Sequence, residues 1–381
     1  MNYGIYVHFP FCHSKCDYCS FFSVSMKDGN IVEDYVQHYV ERLKREIDER
    51  LKSFDDIEID TIYFGGGSPS ILNDAQVSYI LNSIKRNSSI TENCEISMEF
   101  NPQHVSPEAL ENLKKTGVNR FTLGVQTLNK KLHEQIGRSS RPCSEDVLEM
   151  FFGIDDITHC IDLITGIPGQ SIDELTGELK HIVQYNPRHI SVYLLSIEKN
   201  TALAGRMRAD ESYENKQRLA LEKTMKLLQG EGYDHYEISN YAMKGYESMH
   251  NMKYWKFFPY IGFGPGAHSF YNNERSFNAM TIDDYIISNE VTLTIDKRDE
   301  NSNVVEYFLT GLRLINGFSI GEMERRLKLK LSPLIMEKIE YMARDGLVIF
   351  DSNNNGNLRL TERGLFLADS VIYKIVEPII N

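Results

Sequence analysis

Short β-rich apolar segments alternate with helical patterns along most of this chain, and that alternation restricts its fold more than any other feature. Segments with strand character cover Gly4–Phe9, Ile59–Phe64, Glu95–Phe100, Arg120–Gly124, Thr158–Ile164 and His189–Leu195. Between the first two, Val32, Tyr35, Val36, Tyr39, Val40, Leu43, Ile47 and Leu51 recur at helical spacing, which predicts an amphipathic helix. Ser106-Pro107 reads as an N-cap with proline at the first helical position. Ser171-x-x-Glu174 reads as a capping box. A long helical stretch, about Tyr213 to Gln229, stops near Gly230 and Gly232. Repeated strand–helix units predict a parallel sheet or barrel. In such barrels the chemistry collects at the C-terminal ends of the strands. A cysteine loop follows the first strand and Gly65-Gly66-Gly67-Ser68 the second. Glu99 closes the third, Gln126 follows the fourth, Asp162 lies late in the fifth and Ser196 follows the sixth. Six placements in a row favour one shared site over coincidence.

The cysteine loop is Cys12-His13-Ser14-Lys15-Cys16-Asp17-Tyr18-Cys19. Three thiolates on one short loop can hold three irons of a [4Fe–4S] cluster, which in full sites takes four cysteines. The next cysteine is Cys94, so one iron is left for an outside ligand. The other chemistry open to this spacing is a structural zinc with His8 or His13 as fourth ligand. The remaining cysteines, Cys94, Cys143 and Cys160, are scattered and read as buried free thiols in a reducing compartment.

From about residue 290 the pattern changes. Val305–Leu314 and Leu331–Asp345 read as helices, followed by an apolar strand at Gly346–Phe350, an Asn-rich turn at Asn353–Gly356, a strand at Leu358–Thr361 and a helix. That is a winged-helix-like module, so the expected division is 1–289 and 290–381. Winged helices often bind DNA, but residues 301–381 balance ten basic against ten acidic side chains. The whole chain of 381 residues carries a net charge of −13. Nucleic acid is therefore not the expected partner, because phosphate binding needs a basic face. The first residues lack the basic and apolar regions of a signal peptide. No apolar run approaches the roughly 18 residues of a membrane span. The expected location is the cytoplasm.

Taken in order, Tyr6-Val7-His8-Phe9-Pro10-Phe11-Cys12, Gly65-Gly66-Gly67-Ser68-Pro69-Ser70, Met98-Glu99-Phe100-Asn101-Pro102, Gly124-Val125-Gln126 and Asp162–Gln170 form a set of motifs. The set resembles the oxygen-independent coproporphyrinogen III dehydrogenase (HemN)-like family of radical S-adenosylmethionine (SAM) proteins. His250-Asn251-Met252-Lys253-Tyr254-Trp255 looks like the HNxxYW motif of its haem-chaperone branch, HemW. The family's usual GGGTPS is GGGSPS here, and Ser68 keeps the hydroxyl. Two features separate the chain from the HemN branch. Cys12 comes without the N-terminal extension of that branch, and its further cysteine two residues after the third is Phe21 here.

The resemblance implies a partial (β/α)6 barrel, a smaller α+β winged-helix-like C-terminal domain, and three cofactors: a [4Fe–4S] cluster, SAM and haem. It implies cluster ligation by Cys12, Cys16 and Cys19. It places Tyr6, Gly66, Gly67, Ser68, Glu99, Gln126, Arg138 and Asp162 at SAM-binding positions, with Tyr18 near the cofactor and Ser196 offering backbone contacts. Carboxylates suit ribose hydroxyls and an ammonium, and an arginine suits a carboxylate. His250 takes the place of a haem ligand, an imidazole being a common one. His268 is a second histidine without motif support. Gly262-Phe263-Gly264-Pro265-Gly266 does not form a dinucleotide fingerprint. The implied function is a haem chaperone that passes haem to an acceptor protein and takes electrons from a cellular donor, with a homodimer as one implied assembly. The rival is a coproporphyrinogen III dehydrogenase or another porphyrin-acting enzyme, disfavoured by Phe21 and by the absent extension.

Overall fold

A computed structural model of the chain describes residues 2–26, 33–54, 56–138, 141–207 and 211–380. Six parallel strands form its centre: β1 (Tyr3–Phe9), β2 (Glu58–Gly66), β3 (Ser89–Phe100), β4 (Arg120–Gln126), β5 (Thr158–Thr165) and β6 (His189–Leu194). Each pairs with its successor, the order expected of a half-barrel. The strand segments read from sequence coincide with these six to within a few residues, except that β3 begins earlier, at Ser89.

The sheet extends past both ends. After β6 it turns antiparallel through β7 (Asp234–Glu237) and β8 (Asn240–Ala242), with β8 the neighbour of β6. Next to β1 lies β9 (Tyr260–Phe263), parallel to it, and then β10 (His268–Tyr271), β11 (Glu274–Asn278) and β12 (Leu293–Asp296), all antiparallel. The large sheet thus has twelve strands, and its last one runs past residue 290.

Side chains alternate across each strand. Ile5, Val7 and Phe9, Ile62 and Phe64, Met98 and Phe100, and Phe121, Leu123 and Val125 are buried on the outer face under the helices. Helix α1 (Glu33–Leu51) covers this face with Val36, Tyr39, Val40, Leu43, Ile47 and Leu51, the stripe read from sequence. Val32, the first position of that stripe, lies outside the described residues. The opposite positions, Tyr6 and His8, Thr61 and Tyr63, Ser97 and Glu99, and Asp162, are mostly polar and face the barrel interior. A polar interior is what a site needs.

The helix starts follow local chemistry. Ser106 accepts a hydrogen bond from Ala109 N, with Pro107 opening the helix. Ser171 and Glu174 form the reciprocal capping box. The long helix α7 (Glu211–Gly230) spans the expected stretch.

The C-terminal module has helices at Glu300–Gly311, Ile320–Leu327 and Pro333–Arg344 and a three-stranded antiparallel sheet. In that sheet Phe318–Ser319 lies beside Asn357–Leu360, which pairs with Val348–Asp351. This is the expected winged-helix-like arrangement. It is joined tightly to the barrel. Ile238 N donates to Arg313 O and Ile315 N to Tyr236 O, and Arg326 donates to the carbonyls of Lys256 and Phe257.

Candidate functional site

The C-terminal end of β1 feeds straight into the cysteine loop. Phe11–Cys12 pairs with Val24–Ser25, which closes the loop as a short two-stranded ribbon. Inside it Cys19 N donates to Cys16 O. Cys12, Cys16 and Cys19 are half-buried free thiols on the wall of a cavity of about 380 Å³, a size within the usual range for small-molecule sites. Burial pushes the Cys12 and Cys16 thiols up. Ser68 and Ser23 oppose this at Cys12, and the Arg138 charge opposes it at Cys16.

Three thiols are the donor set of the loop. Among the described residues no group of three His, Cys, Asp or Glu side chains is already gathered round one point. Neither histidine weighed as a fourth zinc ligand is turned to the thiols. His8 has its ring nitrogens on Tyr6 Oη and on Phe22 O, at 3.0 and 2.9 Å. His13 sets its Nε2 against His104 Nε2, at 2.9 Å.

The glycine turn after β2 packs on the root of this loop. Gly67 N donates to Phe9 O at 2.7 Å and Ser68 N to Phe11 O at 2.8 Å. A Cβ at Gly67 would stand 2.7 Å from Phe11 O. Gly66 has φ +116°, and a Cβ there would meet the His8 ring at 2.5 Å. Glycine is the residue that permits this approach.

Arg138 binds the walls together. It donates to Tyr18 Oη at 3.0 Å, Asn101 Oδ1 at 2.6 Å and Gly124 O at 2.9 Å. Asn101 in turn donates to Ser68 Oγ at 2.5 Å. Gln126 sits at φ +66°, at a register irregularity between β4 and β5. A non-glycine residue held there carries strain of about 1–3 kcal/mol.

Glu99 and Asp162 form the acidic part of the wall. Burial raises Glu99 to about 7, with Asp162 adding to the shift and a hydrogen bond from Tyr63 opposing it. Burial raises Asp162 to about 6, against Ser191 and Arg138. Asp162 Oδ1 is buried without a hydrogen-bond partner, an atom that awaits a donor. Ser196 lines the same cavity, and its Oγ donates to Glu198.

Gly66, Gly67, Ser68, Glu99, Gln126, Arg138, Asp162, Tyr18, Ser196 and the three cysteines thus share one cavity. One residue expected at the SAM site, Tyr6, does not line it. Tyr6 lies beneath it, bonded to His8. His250, expected as a haem ligand at a second site, is buried here. It lies on helix α8 (Met249–Trp255) and is 1% exposed. Its Nδ1 bonds Thr61 Oγ1 at 2.9 Å and its Nε2 bonds Tyr254 Oη at 2.8 Å. Burial lowers it to about 3, so the ring is neutral. The motif as a whole seals the barrel: Lys253 pairs with Asp60 at 2.6 Å, and Arg313 lies 4.6 Å above the Trp255 ring.

Sequence reasoning gave no role to Asn101 or Tyr63. Asn101 falls inside the Met98–Pro102 motif, and its link between Ser68 and Arg138 crosses three chain segments. Tyr63 had a local signal, its phase with Thr61 and Gly65 on the interior face of β2.

An open parallel half-barrel with thiols and a glycine turn at its C-terminal mouth defines the class, and residues 6–182 match the model of the radical SAM superfamily. The relatives reach further along the chain. The haem chaperone HemW of Buchnera aphidicola (from Acyrthosiphon pisum) is 32% identical over 92% of this chain and 93% of that protein. HemW of Lactococcus lactis is 30% identical over 99% and 98%, and HemW of Escherichia coli 34% identical over 70% and 69%. The chain belongs to the HemW family of the radical SAM superfamily. The coproporphyrinogen III oxidase HemN of Escherichia coli shares the fold, with a TM-score of 0.79 at 21% identity over 98% of this chain and 90% of that one. Among the described residues no helix is long and apolar enough to cross a membrane.

Proposed function

We propose that the chain is a haem chaperone that carries a [4Fe–4S] cluster on Cys12, Cys16 and Cys19, with SAM at the open iron, and hands haem to an acceptor protein. The observation that carries the cofactor reading is the cavity in which the three thiols face the glycine turn, Glu99, Asp162 and Arg138. Haem as cargo rests on the name shared by relatives that match nearly the whole chain.

Bound together, cluster and SAM supply one-electron chemistry. The protein's part is to bind, orient and shield. Gly66 and Gly67 present backbone that SAM can approach without a Cβ in the way. Glu99 and Asp162 offer acceptors for its ammonium and ribose hydroxyls, and the unpartnered Asp162 Oδ1 takes one of them. Arg138, held by Asn101, Gly124 and Tyr18, sets a positive charge beside the loop. A cellular electron donor and a cytoplasmic setting belong to this reading.

The experiment is a spectrum of anaerobically reconstituted protein. Changing Cys12, Cys16 and Cys19 to alanine abolishes bound iron and sulfide, because nothing nearby replaces the thiolates. Added haem gives a Soret band in the parent protein. Stoichiometric zinc in place of the cluster, or conversion of added coproporphyrinogen III without haem binding, would sink the reading.

A further inference from the structure

Beneath the cavity, Tyr63 projects from β2 into the barrel interior. Its ring stacks on Tyr6 of β1, with centroids 6.2 Å apart and planes 26° apart, and on His250 of α8, at 5.2 Å and 28°. His250 is itself held at both ring nitrogens by Thr61 and Tyr254. Gly65, two residues on, leaves the space these rings use: a Cβ there would stand 2.8 Å from the Tyr63 ring and 3.1 Å from Tyr6. This accounts for one glycine of the triplet without any ligand. The Tyr63 hydroxyl donates to Glu99 Oε1 at 2.7 Å. Glu99 is on the cavity wall and Tyr63 is not.

We propose that Tyr63 is a positioning residue for the SAM site: braced by Tyr6 and His250, it holds the Glu99 carboxylate in place at the cavity wall. This rests on the reading of that cavity as the SAM site. The HNxxYW helix then acts on the cofactor site through a ring stack, without lining it.

The ionisable groups facing Glu99 are Tyr63 on β2, Asp162 on β5, Tyr6 on β1, Tyr193 on β6 and Tyr254 on α8. Tyr63 is the side chain among them that donates to the carboxylate. A donor to a carboxylate favours its charged form, so its removal moves ionisation of Glu99 to higher pH.

Tyr63→Phe keeps the ring stack and removes the hydroxyl. SAM affinity of the cluster-loaded protein at neutral pH is expected to fall roughly 10-fold. The pH midpoint of SAM binding moves up, and the cluster absorption is unchanged. In a Glu99→Gln background the same substitution changes affinity by less than about twofold, because the group it acts through is gone. An equal loss in both backgrounds assigns Tyr63 to packing and overturns the proposal. So does unchanged affinity with an unmoved midpoint in Tyr63→Phe alone. If Glu99→Gln itself leaves SAM affinity intact, the SAM reading of this wall falls and the positioning role falls with it, so the two failures are told apart.

Discussion

Glu99 and Asp162 are partly buried on the cavity wall, and the resulting shifts set a pH dependence with a definite sign. Burial raises Glu99 from 4.5 to about 7 and Asp162 from 3.8 to about 6. A raised acid favours the folded state while it is protonated. That contribution is full below the unfolded value and is lost as pH rises through the folded one. Buried His8 and His250, lowered to about 4 and about 3, work the other way: their contribution is full above the unfolded value of 6.5 and is lost as pH falls through the folded one. A difference measurement isolates the acid. Without cluster or SAM, Glu99→Gln should match the parent near pH 4 and become progressively the more stable of the two between about pH 4.5 and 7, the gap levelling off above 7 at no more than about 3 kcal/mol. Urea unfolding at several pH values checks this, and a gap independent of pH would remove Glu99 from the buried acids. His250 carries a second prediction at this scale. His250→Ala empties a sealed interior position and strips Thr61 and Tyr254 of a partner, so about 2–4 kcal/mol of stability should be lost. A variant that unfolds like the parent would mean that α8 does not seal the barrel. If the variant retains a normal Soret band with added haem, His250 is not the haem ligand, and His268→Ala becomes the next comparison.

At the scale of elements, a buried charge lies where α8 and the hairpin β7–β8 meet the C-terminal module. Glu237 is fully buried; it accepts from Ser239 N and stands 3.6 Å from Arg313, whose guanidinium also covers Trp255. Arg313 is partly exposed but Glu237 is not, so removing the arginine leaves a buried charge uncompensated, which costs more than the pair contributes. Arg313→Ala is expected to lose about 3 kcal/mol, and Glu237→Gln in the same chain to restore much of it. Thermal unfolding of the two variants decides it; no recovery in the double variant would show that Arg313 acts through Trp255 instead. Elements of this kind differ in how far they can be read in advance. Ser171 with Glu174, and Ser106 with Pro107, declare their helix starts in four residues or fewer. The capping box at Asn73 and Gln76 uses equally local chemistry and was open to the same reading. The pairing of β9 with β1 was not, because it joins residues some 250 positions apart and no local pattern names the partner.

Over the whole molecule, the large sheet and the C-terminal module share a boundary that cuts through packed structure. Leu293–Asp296 is an edge strand of the large sheet. Arg298 and Arg275 both pair with Glu306 on the first helix of the module, and Phe257 packs its ring against Tyr307 at 5.2 Å. A fragment ending at residue 289 loses that strand and bares Phe257, Trp255 and Glu237. It is expected to be insoluble or molten, with full-length protein as the control. A fragment with a sharp, cooperative melting transition would show that the barrel stands without the module.

The residues by themselves determined the six parallel strands, the helix stripe of α1, the cysteine loop and the polar strand ends, because each is written in a repeat of two, a repeat near four, or a short spacing. The site was legible for the same reason: barrel strands deliver their C-terminal ends to one mouth, so residues scattered from Cys12 to Ser196 could be assigned to one cavity before any contact was known. Only the tertiary structure decided what lies one layer below. Whether a histidine inside a motif faces a ligand or a packed ring depends on which strand its helix closes over. His250 lies against Thr61 and Tyr63, nearly two hundred residues earlier in the chain, and their contact is set by the closure of the barrel and not by any neighbouring residue.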